Sequence, residues 1–153
     1  DRLVLRLPVI GRLTREIVAA RLCRTLGTLL NNGVPLIAAL GIVRDALGNL
    51  AASNAVEAAI ARAKGGAGLS RPLDESRVFP VRTIHLLRLG EETATLGPMA
   101  LRAAQIHEEE TRLGLERLVS LLVPLIVIVM GGAVATIMAS LLLAMLSLND
   151  LAG

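Results

Sequence analysis

The chain has 153 residues, enough for one domain of ordinary size plus one membrane span. Its residues are 54% hydrophobic but 1% aromatic, with Phe79 the single aromatic, which disfavours a strand-rich fold and a stacking groove for nucleic acid. A net charge of +3 is too small to mark a nucleic-acid partner, and the lone Cys23 excludes an internal disulfide. Ala, Leu, Arg and Glu dominate, and these favour helices, so the expected fold is all-α. The chain begins at Asp1 with no signal-peptide pattern, which reads as a C-terminal piece of a longer protein.

Residues 1–13 read as an N-terminal arm, because Pro8 and Gly11 punctuate DRLVLRLPVIG. From Thr14 to Asn31, Ile17, Val18, Leu22, Leu26, Leu29 and Leu30 recur at helical spacing. Cys23 lies in this run and reads as a small buried hydrophobe, since no His or Lys adjoins it to activate a thiolate. Asn31, Asn32 and Gly33 stop the helix, and Pro35 opens a second whose apolar face is Leu36, Leu40, Val43 and Leu47. The tight NNGVP turn makes the pair an antiparallel hairpin.

Gly48 and Asn49 end that helix, and a third is expected over Leu50 to Lys64, packing through Ala55, Ala58, Ala59 and Ala63. Gly65, Gly66 and Gly68 break it. The Lys64-Gly65-Gly66-Ala67-Gly68 run is no phosphate loop, because the Lys precedes the glycines and no strand leads into them. Ser70, Arg71 and Pro72 start a short helix with Ser70 as its cap. Phe79-Pro80 begins the next element, with Ile84, Leu87 and Leu89 on its apolar side and Gly90 at its end. A last helix starts at Gly97-Pro98, with Glu108 and Arg112 in the favourable i,i+4 order.

That helix meets no further break before LVSLLVPLIVIVMGGAVATIMASLLLAMLSLN, residues 118–149, which hold no charged residue and no His. At 1.5 Å rise per residue this run is ~48 Å long, against the ~30 Å of a bilayer core. Residues 118–148 are therefore expected to be a transmembrane helix, continuous with the last helix of a bundle over 14–117, and 149–153 a tail. Pro124 should kink the helix, because its ring removes the bond to the Ser120 carbonyl. Arg112 and Arg117 precede the run and no Lys or Arg follows it, which places the bundle in the cytoplasm and the tail across the membrane. Two adjacent small-residue rows, Gly131, Ala135, Ala139 and Gly132, Thr136, Ser140, make one broad face suited to close helix packing in lipid.

Chemistry-bearing constellations are sparse. His107 and Glu110 share a helix face at i,i+3, but one such pair without further carboxylates reads as a solvated acidic face. No nucleophile–base arrangement and no carboxylate within the apolar run is readable, so an enzyme is disfavoured, and neither a metal nor a cofactor is expected. The segment Gly90-Glu91-Glu92-Thr93-Ala94-Thr95-Leu96 admits two readings. A carboxylate caps the following helix, or Gly90, Glu91, Glu92, Thr93 and Leu96 form a docking corner for a partner.

Taken in order, these features resemble the F family of inner-membrane platform proteins of bacterial type II secretion and type IV pilus systems. The likeness rests on Leu7-Pro8-x-x-Gly11, Arg24-Thr25-Leu26, Leu29-Leu30-x-x-Gly33-Val34-Pro35, Ala39-Leu40, Asn49, the Gly-rich turn ending at Leu69, Phe79-Pro80, Gly90-Glu91-Glu92-Thr93 with Leu96, and Pro124. It implies an antiparallel bundle of about six cytoplasmic helices, the second such domain of the full protein, with the last membrane span. It also implies a non-enzymatic scaffold coupling a cytoplasmic secretion ATPase to assembly of pseudopilin subunits in the bacterial inner membrane. Other inner-membrane secretion components, the lipid bilayer and a second copy of the chain as a homo-oligomer are the further partners that the resemblance leaves open, and nucleic acid is not expected as one. A type IV pilus platform and a tail-anchored helical adaptor or sensor are the alternatives. The family usually has Gly where this chain has Ala94, so Ala94 would be strained by ~1 kcal/mol if its backbone were left-handed.

Overall fold

The computed structural model describes residues 8–153, and every described element is helical: α1 (Pro8–Asn31), α2 (Leu36–Ala46), α3 (Leu50–Lys64), α4 (Ser70–Glu75), α5 (Val81–Glu92) and α6 (Leu96–Ala152). The all-α bundle expected from composition is what forms. Two compact units divide it, the first ending at Leu113 and the second running from Gly114 to Gly153.

Within the first unit the chain is a set of antiparallel neighbours. α1 turns into α2 through Asn32 and Gly33, where the Val34 and Gly33 amides donate to the carbonyls of Leu29 and Leu30. The α3 N-terminus is capped by Asn49, whose side chain accepts from the Ala52 amide at 3.1 Å. The core is built from Leu22, Leu26, Leu40, Val43, Leu47, Val56, Leu69, Leu73, Ile84 and Leu87, filled in by small residues including Ala19, Ala39, Ala52, Ala59, Ala100, Ala103 and Ala104. Alanines where helices face one another let the backbones approach, which explains how a chain with one aromatic closes its interior. Cys23 is fully buried here, and burial pushes its thiol up to about 12, so it packs as a hydrophobe.

Several sequence expectations need correction. The arm expected over 1–13 falls partly on residues 1–7, which lie outside the described residues. From Pro8 onward the described residues are helix, and Gly11 does not interrupt it. Ser70 is the first residue of α4 and not its cap, which is Leu69. Leu89 is 46% exposed, since the inner face of α5 is Thr83, Ile84, Leu87 and Gly90. Ala58 is also exposed, one position off the buried row Ala52, Ala55, Val56, Ala59, Ile60. α6 begins at Leu96, one residue before the expected Gly97-Pro98 start.

The second unit is the helical continuation of α6 over 114–152, and residues 119–149 are all exposed. Leu96–Asn149 is long and apolar enough to cross a membrane, with a mean hydropathy of 2.6 in its most apolar window. Water does not tolerate such an array of bare Leu, Ile, Val and Met side chains, so this face requires lipid or protein around it. Pro124 lies inside α6, and the helix carries on past it.

Candidate functional site

The corner between α5 and α6 is built by a helix stop. The Thr95 amide donates to the Gly90 carbonyl at 2.8 Å and the Ala94 amide to the Glu91 carbonyl at 3.4 Å, the paired bonds of a Schellman motif. This motif needs its C′ residue left-handed, and Ala94 takes φ 53° to meet it. The expected strain at Ala94 is therefore present. The chain makes the same paired bonds at Gly33 and at Gly66, where glycine supplies the positive φ without a Cβ clash. Thr93 ties the corner down, its hydroxyl donating to the Leu89 carbonyl at 2.7 Å and lying 2.6 Å from the Thr95 hydroxyl.

Glu91 and Glu92 have different work. Glu91 turns inward: its carboxylate accepts from the amides of Leu69 and Ser70 and, at 2.5 Å, from the Ser70 hydroxyl. It does cap a helix, but the helix is α4, 21 residues back, and not the following one. A Cβ on Gly68 would sit 2.9 Å from this carboxylate, so the glycine is what lets the α3–α4 turn close over it. Glu92 and Thr93 are exposed, and Leu96 is half-buried.

The fold adds residues that the local sequence did not associate with this corner. Leu30, Asn31 and Leu36 from the α1–α2 hairpin line a groove of about 370 Å³ together with Ala94, Thr95, Leu96, Gly97 and Pro98. Gly97 lies against the Asn31 side chain and Leu30, which brings the two turns together. Gly90 lies against the Leu96 backbone and Met99, so its lack of a side chain lets α5 and α6 meet closely at the corner.

His107 is the second departure from expectation. It is 1% exposed, not part of a solvated face. Its Nε2 is 2.7 Å from the Thr83 hydroxyl, and its Nδ1 is 2.5 Å from Glu16 Oε2. The signal was present in the sequence: Ala100, Ala103, Ala104 and His107 share one helical face, and the other three are core. Glu110 pairs with Arg82 on α5 at 3.6 Å. Glu108 accepts from Nε and Nη2 of Arg24 at 2.8 and 2.6 Å, a pairing across the bundle, whereas the sequence pointed to an i,i+4 pair with Arg112. Arg112 itself is bidentate to Glu109. Among the described residues no cluster of three or more metal-ligating side chains occurs.

On α6, Gly131, Gly132, Ala135, Thr136, Ala139 and Ser140 are all exposed, and a Cβ at either glycine would meet nothing within 4 Å. The Thr136 hydroxyl donates to the Gly132 carbonyl at 2.8 Å, which satisfies it inside its own helix.

Residues 22–144 match the family described as Type II secretion system (T2SS), protein F. The chain belongs to that family. It is 40% identical over its whole length to the type II secretion system protein F of Xanthomonas campestris, covering 38% of that protein. It is 36% identical to the protein of the same name from Pseudomonas aeruginosa, over 98% of this chain and 37% of the relative. A type IV pilus assembly protein PilC from Thermus thermophilus is 37% identical over 94% of this chain and 36% of its own length. The chain thus spans less than two-fifths of these relatives, matching their C-terminal part.

Proposed function

We propose that the chain is part of an inner-membrane platform of a type II secretion machine, a scaffold that couples a cytoplasmic ATPase to pseudopilus assembly. The observation that carries this reading is the union, in a member of this family, of a compact helical bundle with a bare apolar helix long enough to span a bilayer. The reading assigns no bond chemistry to the chain. The bundle is the cytoplasmic part, as the arginines before the apolar run favour, and residues 149–153 reach the periplasm. Motion of the bundle would pass along α6 into the lipid-embedded segment, with Pro124 as the bend.

The corner of Gly90, Glu91, Glu92, Thr93 and Leu96 is the contact for a cytoplasmic partner in this reading. Its exposed carboxylate is Glu92, since Glu91 is engaged in capping α4. The small face Gly131, Gly132, Ala135, Thr136, Ala139 and Ser140 packs against another membrane helix, from a secretion component, a pseudopilin or a second copy. The matching pilus assembly proteins favour a type IV pilus platform as the second reading.

Co-purification of the full-length protein with the ATPase of its own system tests the corner. Glu92→Lys should weaken the association while helicity stays unchanged, because Glu92 is exposed and has no side-chain partner among the described residues that the change would break. Full association of Glu92→Lys would remove this corner from the coupling.

A further inference from the structure

The end of the bundle opposite the corner holds a groove lined by arginines. α1, the α2–α3 junction and the α4–α5 turn frame a groove of about 360 Å³ lined by Thr14, Arg15, Val18, Asn49, Arg77 and their neighbours, with no carboxylate among the described residues of its lining. Most arginines in the bundle are paired, Arg24 with Glu108, Arg44 with Glu57, Arg62 with Glu75, Arg82 with Glu110 and Arg88 with Asp74. Arg15, Arg77 and Arg12, one turn before Arg15, make no side-chain hydrogen bond or ion pair among the described residues. Arg77 is also held at φ 53°, a left-handed backbone that an arginine adopts at a cost.

Two large apolar side chains stand out at the same end. Leu50, between the groove residues Asn49 and Ala51, is 80% exposed, and Val81 at the start of α5 is 64% exposed. The pairings of His107 with Glu16 and Thr83, and of Glu110 with Arg82, place this end beside the last turns of α6 within the bundle. The first unit ends at Leu113, and the uncharged run begins five residues later in the sequence.

We infer that this end of the bundle is a lipid-docking surface: Arg12, Arg15 and Arg77 bind anionic phospholipid headgroups while Leu50 and Val81 enter the interfacial layer. Unpaired guanidinium groups beside bare aliphatic side chains are the combination that an anionic bilayer surface attracts. The covalent proximity of the apolar run supplies the occupant, because a bundle tethered within five residues of a bilayer-spanning helix meets headgroups at high effective concentration. Docking would fix the tilt of the bundle against the membrane. The inference rests on the apolar run being embedded in a bilayer.

The test uses the full chain in lipid nanodiscs, either phosphatidylcholine alone or with about 30% phosphatidylglycerol, a charge density typical of an anionic membrane surface. A fluorophore at Leu50→Cys is read for quenching by nitroxide lipids, and one at the exposed Ala38→Cys, near the opposite end, serves as the control. Cys23 is buried and does not compete for label. The Leu50 probe should be quenched in anionic discs, less in neutral discs, and less at high salt. Arg15→Gln with Arg77→Gln should lower the docked-to-undocked ratio about fivefold per arginine. Leu50 quenching no greater than that of Ala38, or equal in both lipids, would overturn the inference. The lipid comparison on the chain with its arginines intact decides the matter even if the arginine variants misfold. Failure of the chain to enter discs at all would instead contradict the membrane reading beneath it.

Discussion

Glu16 and His107 stand 91 residues apart in sequence and 2.5 Å apart in space, with Glu16 Oε2 on the Nδ1 side of the imidazole and Thr83 on the Nε2 side. This arrangement ties α1, α5 and α6 together through polar atoms in an otherwise apolar interior. Every described buried side-chain nitrogen and oxygen has a partner, so the three residues form a closed set. Deleting one member leaves the others buried without it. His107→Ala should cost about 2–4 kcal/mol, most of it from the stranded Glu16 and Thr83. A double-mutant cycle with Glu16→Ala, read by thermal unfolding in detergent, should show strong coupling. Additive effects would mean that the pair is not a structural unit.

Ala94 provides an internal comparison. Among the described residues three helix ends share the same paired carbonyl bonds, and of these only Ala94 places a Cβ at the left-handed position. Ala94→Gly should raise stability by about 0.5–1 kcal/mol, the relief of strain less the added freedom of the unfolded chain. Gly33→Ala should do the reverse. A lower melting temperature for Ala94→Gly would show that the strain is absent.

The two carboxylates of the corner should separate experimentally. Glu91→Gln loses the charge that holds the Leu69 and Ser70 amides and should destabilise the bundle by about 1–2 kcal/mol. Hydrogen exchange should localise the loss to α4. Glu92→Gln should leave the melting temperature unchanged. Equal effects of the two substitutions would contradict the division of roles.

The hydrogen bonds from Arg24, reinforced by its charge, hold Glu108 below its ordinary value of 4.5. A carboxylate whose folded pKa is depressed contributes its stability above the unfolded pKa. That contribution is lost as pH falls from about 4.5 through the lower folded value. Both side chains are more than a third exposed, so solvent screening limits the term to at most ~1 kcal/mol. Arg24→Gln should flatten the acid side of the stability profile below pH ~5 and leave its neutral-to-alkaline side parallel to the original. An unaltered acid limb would mean that the pair does not form in solution.

Local signals made the helices legible. The limits of α3 were readable from Asn49 and the Gly65-Gly66 stop, and the α1–α2 hairpin from Asn32, Gly33 and Pro35. The 118–149 run announced itself by the absence of charge. The errors fell where a residue's role depends on a distant element. Glu91 sits next to α6 in sequence, yet its partners are 21 and 22 residues upstream, so a cap read locally is assigned to the wrong helix. His107 lies in the charged stretch HEEETR, which masks the alanine face that carries it into the core. The groove at the corner needed the α1–α2 turn beside Gly97, a meeting that no local pattern encodes.

The central claim is that the uncharged part of α6 lives in the bilayer core while the bundle stays outside that core. Cysteine substitutions at Met138 and Ala38, both exposed side chains, test it in membranes from cells making the full-length protein, with Cys23 too buried to react. A water-soluble maleimide should label Ala38→Cys readily in open membrane fragments and leave Met138→Cys unlabelled until detergent is added. Equal labelling of both positions before detergent would contradict the account.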